Sequence, residues 1–416
     1  MRLSRTDFRG KWIAGLLSGG LDSTTIVHWL SQVGARVLSI TVNLGQPDET
    51  DIGDIPKRMK AAGAEEAVMV DGRSLLARYM LQVIQGQAFH EGGYWNTTGI
   101  ARMATVVAAL RPITERGITF LTHGATGRGN DQVRFEIAPA MLAPQIQVYA
   151  PWRDPEFLRE LGGRKEMLTY CAAHNLNVRA TTKKPYSTDA NFCGLTHEAG
   201  ELEFLTTPTS LVEFIMGVAP DKAPETAEDV EIRFKCGRPV AVNGKTYNKL
   251  PSVFSVLNHI AGRNGVGIGL DVVENRRVGI KSRGVYEAPG VTLLASAYTK
   301  LLQTILDRNR RKFFDIVSRQ LADVVYEGEW FGPLAGDLLA VVNRVASHVS
   351  GTVSFSLYKG NIRFLQSSGE ETCLYCPERS SMESIGEFDH TDSQGYLNVH
   401  TVLARALAYA KQTRTP

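Results

Sequence analysis

Along the first 150 positions the apolar residues fall into two alternating rhythms. Short unbroken runs at 12–17 (WIAGLL), 36–43 (RVLSITVN), 66–72 (EAVMVDG), 118–124 (ITFLTHG) and 146–151 (IQVYAP) read as buried strands. Between them the spacing turns helical. In 22–34 (DSTTIVHWLSQVG), Ile26, Val27, Trp29, Leu30 and Val33 form one apolar stripe and Gly34 supplies the stop, and a long helix is predicted over about 100–116. Strands separated by helices predict a parallel sheet, whose ligands sit outside the carboxyl ends of the strands. Ser18 ends the first strand and His123 and Gly124 end the fourth, so they are expected to face one crevice.

Beyond about residue 175 the alternation stops. Residues 229–247 read as a hairpin turning at Asn243-Gly244, 293–309 as a helix and 351–366 as a second hairpin. Strands and helices without alternation predict an α+β unit. The length of 416 residues exceeds one compact core, so the chain is divided at 1–175, 176–385 and a tail 386–416. The tail ends in an amphipathic helix over 402–412, either a surface helix of its own subunit or an arm packed on a neighbour. There is no internal repeat and no low-complexity segment.

Charge and cysteine content narrow the class. With 46 basic and 43 acidic residues the net charge is +3 and no basic run dominates, which argues against nucleic-acid binding. The five cysteines, an odd and sparse set, form no disulfide framework and predict a reducing compartment. The opening MRLSRTDFRGKW lacks the apolar core of a signal peptide, and no run approaches the roughly 20 apolar residues of a spanning helix. A cytoplasmic protein without membrane association is expected.

The chemistry concentrates in a few strings. In SGGLDS (18–23) two glycines lead into a helix, where exposed amides and the helix dipole form an anion site and Ser18, Ser23 and Thr24 add hydroxyls. The alternative is a tight strand-to-helix turn with a Ser or Asp cap. No lysine follows, so this is not a Gly-Lys-Ser/Thr phosphate loop. GKT at 244–246 lacks the upstream glycine, and GVGIG at 265–269 follows a helix pattern; neither reads as a phosphate site. HGATGRGNDQVRFE (123–136) places small residues beside Asn130, Asp131 and Arg134, and Arg134 could clamp a carboxylate with two hydrogen bonds. In YWNTTGIAR (94–102), Arg102 opposes the dipole at a helix start, which suits either a ligand or a surface position. YSTDANFCGLTHEAGELE (186–203) and ENRRVGIKSRGVYEAPG (274–290) are dense in hydroxyls and charges, and each alone reads as a charged surface. Cys373 and Cys376 form a single C-x-x-C, weak for zinc, and His123 reads as a core histidine. No residues have metal-ligand spacing.

In combination these strings resemble the argininosuccinate synthases, through almost the whole chain from LLSGGLDS to GYLNVHTVL. GATGRGNDQVRFE, APWRDPEF, YSTDANFCG, VENRRVGIKSRGVYEAPG and WFGPL carry the specificity, and YWNTTGIAR, LGGRKEM and THEAGELE resemble the longer bacterial branch. The resemblance implies an α/β fold: an N-terminal parallel-sheet ATP pyrophosphatase (Rossmann-like) domain, an α+β synthetase domain and a C-terminal helical arm that locks a homotetramer. It implies that citrulline, aspartate and ATP give argininosuccinate, AMP and pyrophosphate through a citrullyl-adenylate, with Mg²⁺, in arginine biosynthesis or the urea cycle. Carried over by position, Leu16, Leu17, Ser18, Gly19, Gly20, Leu21, Asp22, Ser23 and Thr24 hold ATP with Val42, Gly124 and Asp189. Thr98, Arg102, Thr126, Asn130 and Asp131 hold aspartate. Tyr94, Asn130, Arg134, Ser187, Thr196, Glu198, Glu274 and Tyr286 hold citrulline, and Asp22, Asp131 and Arg134 are the expected catalytic residues. Four positions depart from the pattern: Leu17 replaces an aromatic, Ser23-Thr24 stands for Thr-Ser, Arg128 for lysine, and Gly99 for a citrulline-contacting serine. Gly99 leaves room for a citrulline analogue, so a paralogue of specialised metabolism that joins an altered ureido or amine substrate is the alternative.

Overall fold

The computed structural model describes residues 3–178, 185–369, 373–383 and 389–410. The expected boundary between 385 and 386, and the end of the last predicted helix, lie outside them. The first unit comprises β1 (Trp12–Leu16), α1 (Leu21–Ser31), β2 (Arg36–Asn43), α2 (Ile55–Ala61), β3 (Glu66–Asp71), α3 (Arg73–Gln85), α4 (Thr97–Thr114), β4 (Phe120–His123), α5 (Asp131–Leu142), β5 (Gln147–Tyr149), α6 (Pro155–Leu161) and α7 (Arg164–Ala173). Its five strands are all parallel and run in the order β3-β2-β1-β4-β5. β1 is central because its residues are apolar or small on both faces, with Ile13 and Ala14 fully buried. The order reverses between β1 and β4, so a crevice opens at their carboxyl ends, where such sheets bind ligands.

The expected strands are all present, within three residues at each end. The helices differ more. HGATGRGNDQVRFE is a loop only in its first part: α5 begins at Asp131, which puts Asp131 and Arg134 on its first turn. The run 293–309 is two helices. The first ends at Ile305, and the Asp307 carboxylate then accepts the amides of Asn309 and Arg310 to start the second.

The remainder adds β6 (Ser187–Asn191), β7 (Gly194–Glu198), β8 (Glu228–Lys235), β9 (Arg238–Val242), β10 (Lys245–Thr246), α8 (Leu250–Arg263), β11 (Ile268–Asn275), β12 (Lys281–Glu287), α9 (Pro289–Ile305), α10 (Arg308–Glu327), α11 (Pro333–Ala346), β13 (Gly351–Tyr358), β14 (Asn361–Gly369), α12 (Pro377–Ser380) and α13 (Asp392–Tyr409). Two antiparallel sheets result, β11-β12-β7-β6 and β10-β9-β8-β13-β14. The predicted hairpin at 229–247 turns twice. Cys236-Gly237 (φ 46° and 76°) joins β8 to β9, and Asn243-Gly244 (φ 48° and 74°) joins β9 to β10. Cysteine is an uncommon residue at positive φ, so its turn leaves little trace in the sequence.

The halves share a core. α3 packs on α8, α9 and α11, and α4 packs on α10. One apolar cluster runs from Leu38 of β2 through Met80 and Ile84 of α3 to Phe254 of α8 and Tyr298 of α9. A second cluster, with Ile26, Trp29 and Phe157, covers the other face of the parallel sheet. Phe254 is fully buried in the shared cluster. Phe254→Ala is expected to cost about 3–5 kcal/mol and to move a single calorimetric transition downward. Two transitions, one of them unmoved, would mean that the halves unfold separately.

Candidate functional site

A crevice of about 630 Å³ opens where β1 and β4 end and the sheet β11-β12-β7-β6 comes alongside. One wall is the turn from β1 into α1. Gly19 has φ +79°, and a Cβ there would lie 2.7 Å from the side chain of Ile55, so both backbone conformation and space demand glycine. Ser18 is exposed to the crevice while Gly20 caps α1, leaving the first-turn amides directed at the opening. The Ser18 amide donates to Ser23 Oγ (3.0 Å), and Thr41 Oγ1 donates to the Leu17 carbonyl (3.0 Å). Arg58 of α2 donates to the Gly19 carbonyl (2.9 Å). Asp22 accepts from Trp152 Nε1 (3.0 Å), and burial raises its carboxyl, partly offset by that bond.

Across the crevice Arg102 of α4 and Arg134 of α5 share the carboxylate of Asp131. Arg102 reaches Oδ2 at 2.8–2.9 Å and Arg134 Nη1 reaches Oδ1 at 2.8 Å. Burial alone would favour the neutral acid, but the two guanidinium groups hold Asp131 down at about 2. Arg102 also pairs with Asp189 of β6, whose carboxyl burial raises against the pull of Arg102. Nε and Nη2 of Arg134 both donate to the Tyr326 carbonyl (3.0 and 2.6 Å). The expected two-bond carboxylate clamp therefore has only the guanidinium's remaining N–H groups to use. Nor is there a void beside Gly99: a Cβ there would lie 3.3 Å from the Arg134 guanidinium, which occupies the space expected for an altered substrate.

The third wall comes from the antiparallel sheet. Tyr94 stacks on Tyr286 (centroids 4.1 Å), and the hydroxyls of Tyr286 and Tyr326 both donate to Glu274. Burial pushes the Tyr94 hydroxyl up to about 12. Thr98 and Thr196 hydroxyls meet at 3.0 Å. Glu198 opens to the crevice, and desolvation by the crevice walls raises it to about 7, with Arg276 opposing and Asp131, Glu274 and Asp189 adding to the rise.

Of the residues expected from the sequence, Leu16 to Ser23, Val42, Tyr94, Thr98, Arg102, Gly124, Thr126, Asn130, Asp131, Arg134, Asp189, Thr196, Glu198, Glu274 and Tyr286 line this one crevice. Thr24 turns away, its hydroxyl donating back to the Gly20 carbonyl (3.0 Å). Ser187, exposed at the start of β6, is outside the lining, whereas its neighbour Thr188 is within it. His123 does not face the crevice: it is fully buried, accepts from the Ala125 amide at Nδ1 (3.1 Å), and burial and Arg153 push it down to about 3. Arg58, Gln46, Trp152 and Arg276 were not foreseen. Arg276 stood within the ENRR string, but only its placement distinguishes it from a surface charge. Cys373 and Cys376 lie outside the crevice, and among the described residues no three His, Cys, Asp or Glu side chains group around a possible metal.

Comparison with known proteins agrees along most of the chain. Residues 13–177 match the family model described as Arginosuccinate synthase N-terminal HUP domain, and 186–407 match Arginosuccinate synthase C-terminal domain. The chain is 41 % identical over 390 residues to the argininosuccinate synthase of Rhodopirellula baltica, covering 93 % of this chain and 96 % of that one. With the argininosuccinate synthase of Thermotoga maritima it shares 37 % identity over 390 residues, 92 % of this chain and 94 % of that one.

Asp131→Ala removes the anion between two arginines. Urea unfolding is expected to show a loss of about 1–3 kcal/mol with a folded baseline retained. An unchanged midpoint would mean that the arginines find another counter-charge.

Proposed function

The chain belongs to the argininosuccinate synthase family and joins citrulline to aspartate at the expense of ATP, and we propose that this crevice is where it does so. The observation that carries the proposal is the juxtaposition itself: a glycine turn with the first amides of a helix at one wall and two groups of paired charges at the others, in one cavity. The amides of the turn from Ser18 to Ser23 take the phosphates of ATP, with Val42 and Gly124 beside the nucleoside. Tyr94, Arg134, Thr196, Glu198, Glu274 and Tyr286 hold citrulline; Thr98, Arg102, Thr126, Asn130 and Asp131 hold aspartate. Asp22, the carboxylate beside the turn, would help to hold Mg²⁺ with the phosphates, and the ion would supply positive charge against the departing pyrophosphate.

The chemistry follows from leaving groups. A ureido oxygen leaves poorly. Its attack on the α-phosphorus forms a P–O bond as the bond to the bridging oxygen breaks, giving citrullyl-adenylate and pyrophosphate. The aspartate amine then adds to the activated carbon, loses a proton, and AMP departs with its new oxygen. No protein nucleophile is required. The chain's task is to bring three charged molecules together and to present fixed dipoles where phosphate charge develops. Asp131, ionised at every working pH, serves as an electrostatic anchor and not as a proton acceptor. The exposed apolar side chains of α13, among them Val399, Val402 and Leu403, fit an arm that packs on neighbouring copies in a homotetramer, and the unpaired cysteines suit the cytoplasm.

Pyrophosphate release from ATP should require citrulline, and argininosuccinate should form only when aspartate is also present. Release indifferent to both amino acids would refute the proposal. Asp131→Ala and Arg134→Ala are expected to lower kcat/KM by about 10²–10³-fold. The Glu198 carboxyl, raised to about 7, passes from mostly neutral to mostly ionised across that pH. If its anion binds the citrulline ammonium, kcat/KM for citrulline should rise between about pH 6 and 8 and level off above, and Glu198→Gln should flatten the profile. A wild-type profile without an inflection there would remove Glu198 from that role.

A further inference from the structure

Arg276 stands just past β11, in the turn leading to β12, and its N–H groups are committed to three different parts of the site. Nη2 donates to Glu198 Oε2 (2.8 Å), Nη1 to the Arg128 carbonyl (3.3 Å) and Nε to Ser282 Oγ (2.7 Å). Ser282 belongs to β12 and ties the guanidinium to the sheet. Glu198 ends β7 in the citrulline cradle. Arg128 lies in the glycine-rich segment that carries Thr126, Asn130 and Asp131. The next residue repeats the link, since the Arg277 amide donates to Asn130 Oδ1 (2.9 Å) and its side chain pairs with Glu329 (2.8 Å).

The other arginines lining the crevice make different ties. Arg58 holds the phosphate turn, Arg102 joins Asp131 to Asp189, and Arg134 joins Asp131 to the Tyr326 carbonyl. Arg276 spans from a carboxylate of the citrulline cradle to the backbone of the glycine-rich segment.

We propose that Arg276 is a positioning residue: one guanidinium sets Glu198 and the Arg128 carbonyl in a fixed relation, and so holds the citrulline cradle in register with the segment that carries the aspartate cradle. This rests on the assignment of those cradles above. The two substrates must meet with the aspartate amine over the activated ureido carbon, and small displacements there are costly. A fork with several fixed donors suits such a latch better than an ammonium. Charge matters as well as shape. Asp131 on α5, Glu274 on β11 and Asp189 on β6 all face Glu198 and disfavour its anion, the Tyr286 hydroxyl of β12 faces it too, and Arg276 works against them.

The test compares wild type with Arg276→Gln and Arg276→Lys, as purified full-length chains, in pH profiles of argininosuccinate synthesis. Arg276→Gln is expected to raise KM for both citrulline and aspartate and to lower kcat/KM for citrulline about 10- to 100-fold at pH 7. Its inflection should move upward by about one pH unit, so that activity recovers toward pH 9. Arg276→Lys keeps the charge and loses the fork; it should keep the wild-type inflection while losing part of kcat/KM. A purely structural role would lower activity without moving the inflection. Arg276→Gln with an unmoved inflection, or with unchanged KM values, overturns the inference, as does an equal upward shift in Arg276→Lys. Should Arg276→Gln fail to fold, Arg276→Met, which is also neutral, takes its place under the same expectations. If wild type makes no argininosuccinate, the assigned reaction fails and this inference with it; if wild type is active and the variants behave alike, only this inference fails.

Discussion

The site is organised around one shared anion. Arg102 and Arg134 approach each other from two helices in a partly desolvated crevice, where like charges repel far more strongly than in water. The Asp131 carboxylate between them makes that approach tolerable, one oxygen to each. Its place on the first turn of α5 is favourable for the same reason, because the helix dipole adds to the attraction. Arg134 lies three residues further along the same helix, in natural reach of that carboxylate. With the anion in place, Arg102 Nη2 also reaches Asp189, and Arg134 keeps Nε and Nη2 for the Tyr326 carbonyl. Helices α4 and α5, strand β6 and the end of α10 are thereby joined through one charge.

Such a network needs room for two guanidinium groups inside packed protein, and glycines provide it at particular points. Arg134 lies between Gly99 and Gly328; a Cβ on Gly328 would sit 2.8 Å from the arginine side chain, and its φ of +85° also favours glycine. The residue that resembled a missing substrate contact is thus a space filled by an arginine. Gly19 does the same service at the opposite wall, where the backbone must pass close to Ile55 before α1 begins. The two ends of the crevice are therefore set by backbone approach rather than by long side chains, which lose more freedom when fixed.

A reaction that needs three substrates and no protein nucleophile depends on how firmly the walls are held apart. Here the walls belong to different sheets, yet they rest on common packing. The α3 and α4 helices cover the parallel sheet and also meet the helices of the second half, while Thr98 at the start of α4 meets Thr196 of β7 across the crevice. Orientation is built into the fold before any ligand arrives, as preorganised electrostatic stabilisation requires.

What the sequence determined by itself is what depends on neighbours along the chain. Alternating apolar rhythms specified the parallel strands, because burial on both faces leaves a continuous apolar run. SGGLDS specified a glycine turn into a helix, because only glycine accepts that backbone conformation beside Ile55. The family resemblance brought the polar strings together by position. Tertiary structure decided the rest, because each contact depends on which helix face meets which strand end. Trp152 and Asp22, 130 positions apart, meet only when the segment after β5 crosses α1. Arg58 comes to Gly19 only by the lie of α2, and Arg276 to Glu198 only by the register of β12 against β7. His123 is buried, as its reading as a core histidine expects, and Ser187 lies outside the crevice lining because β6 enters the crevice only from Thr188 onward, an end point that no residue type in the string marks.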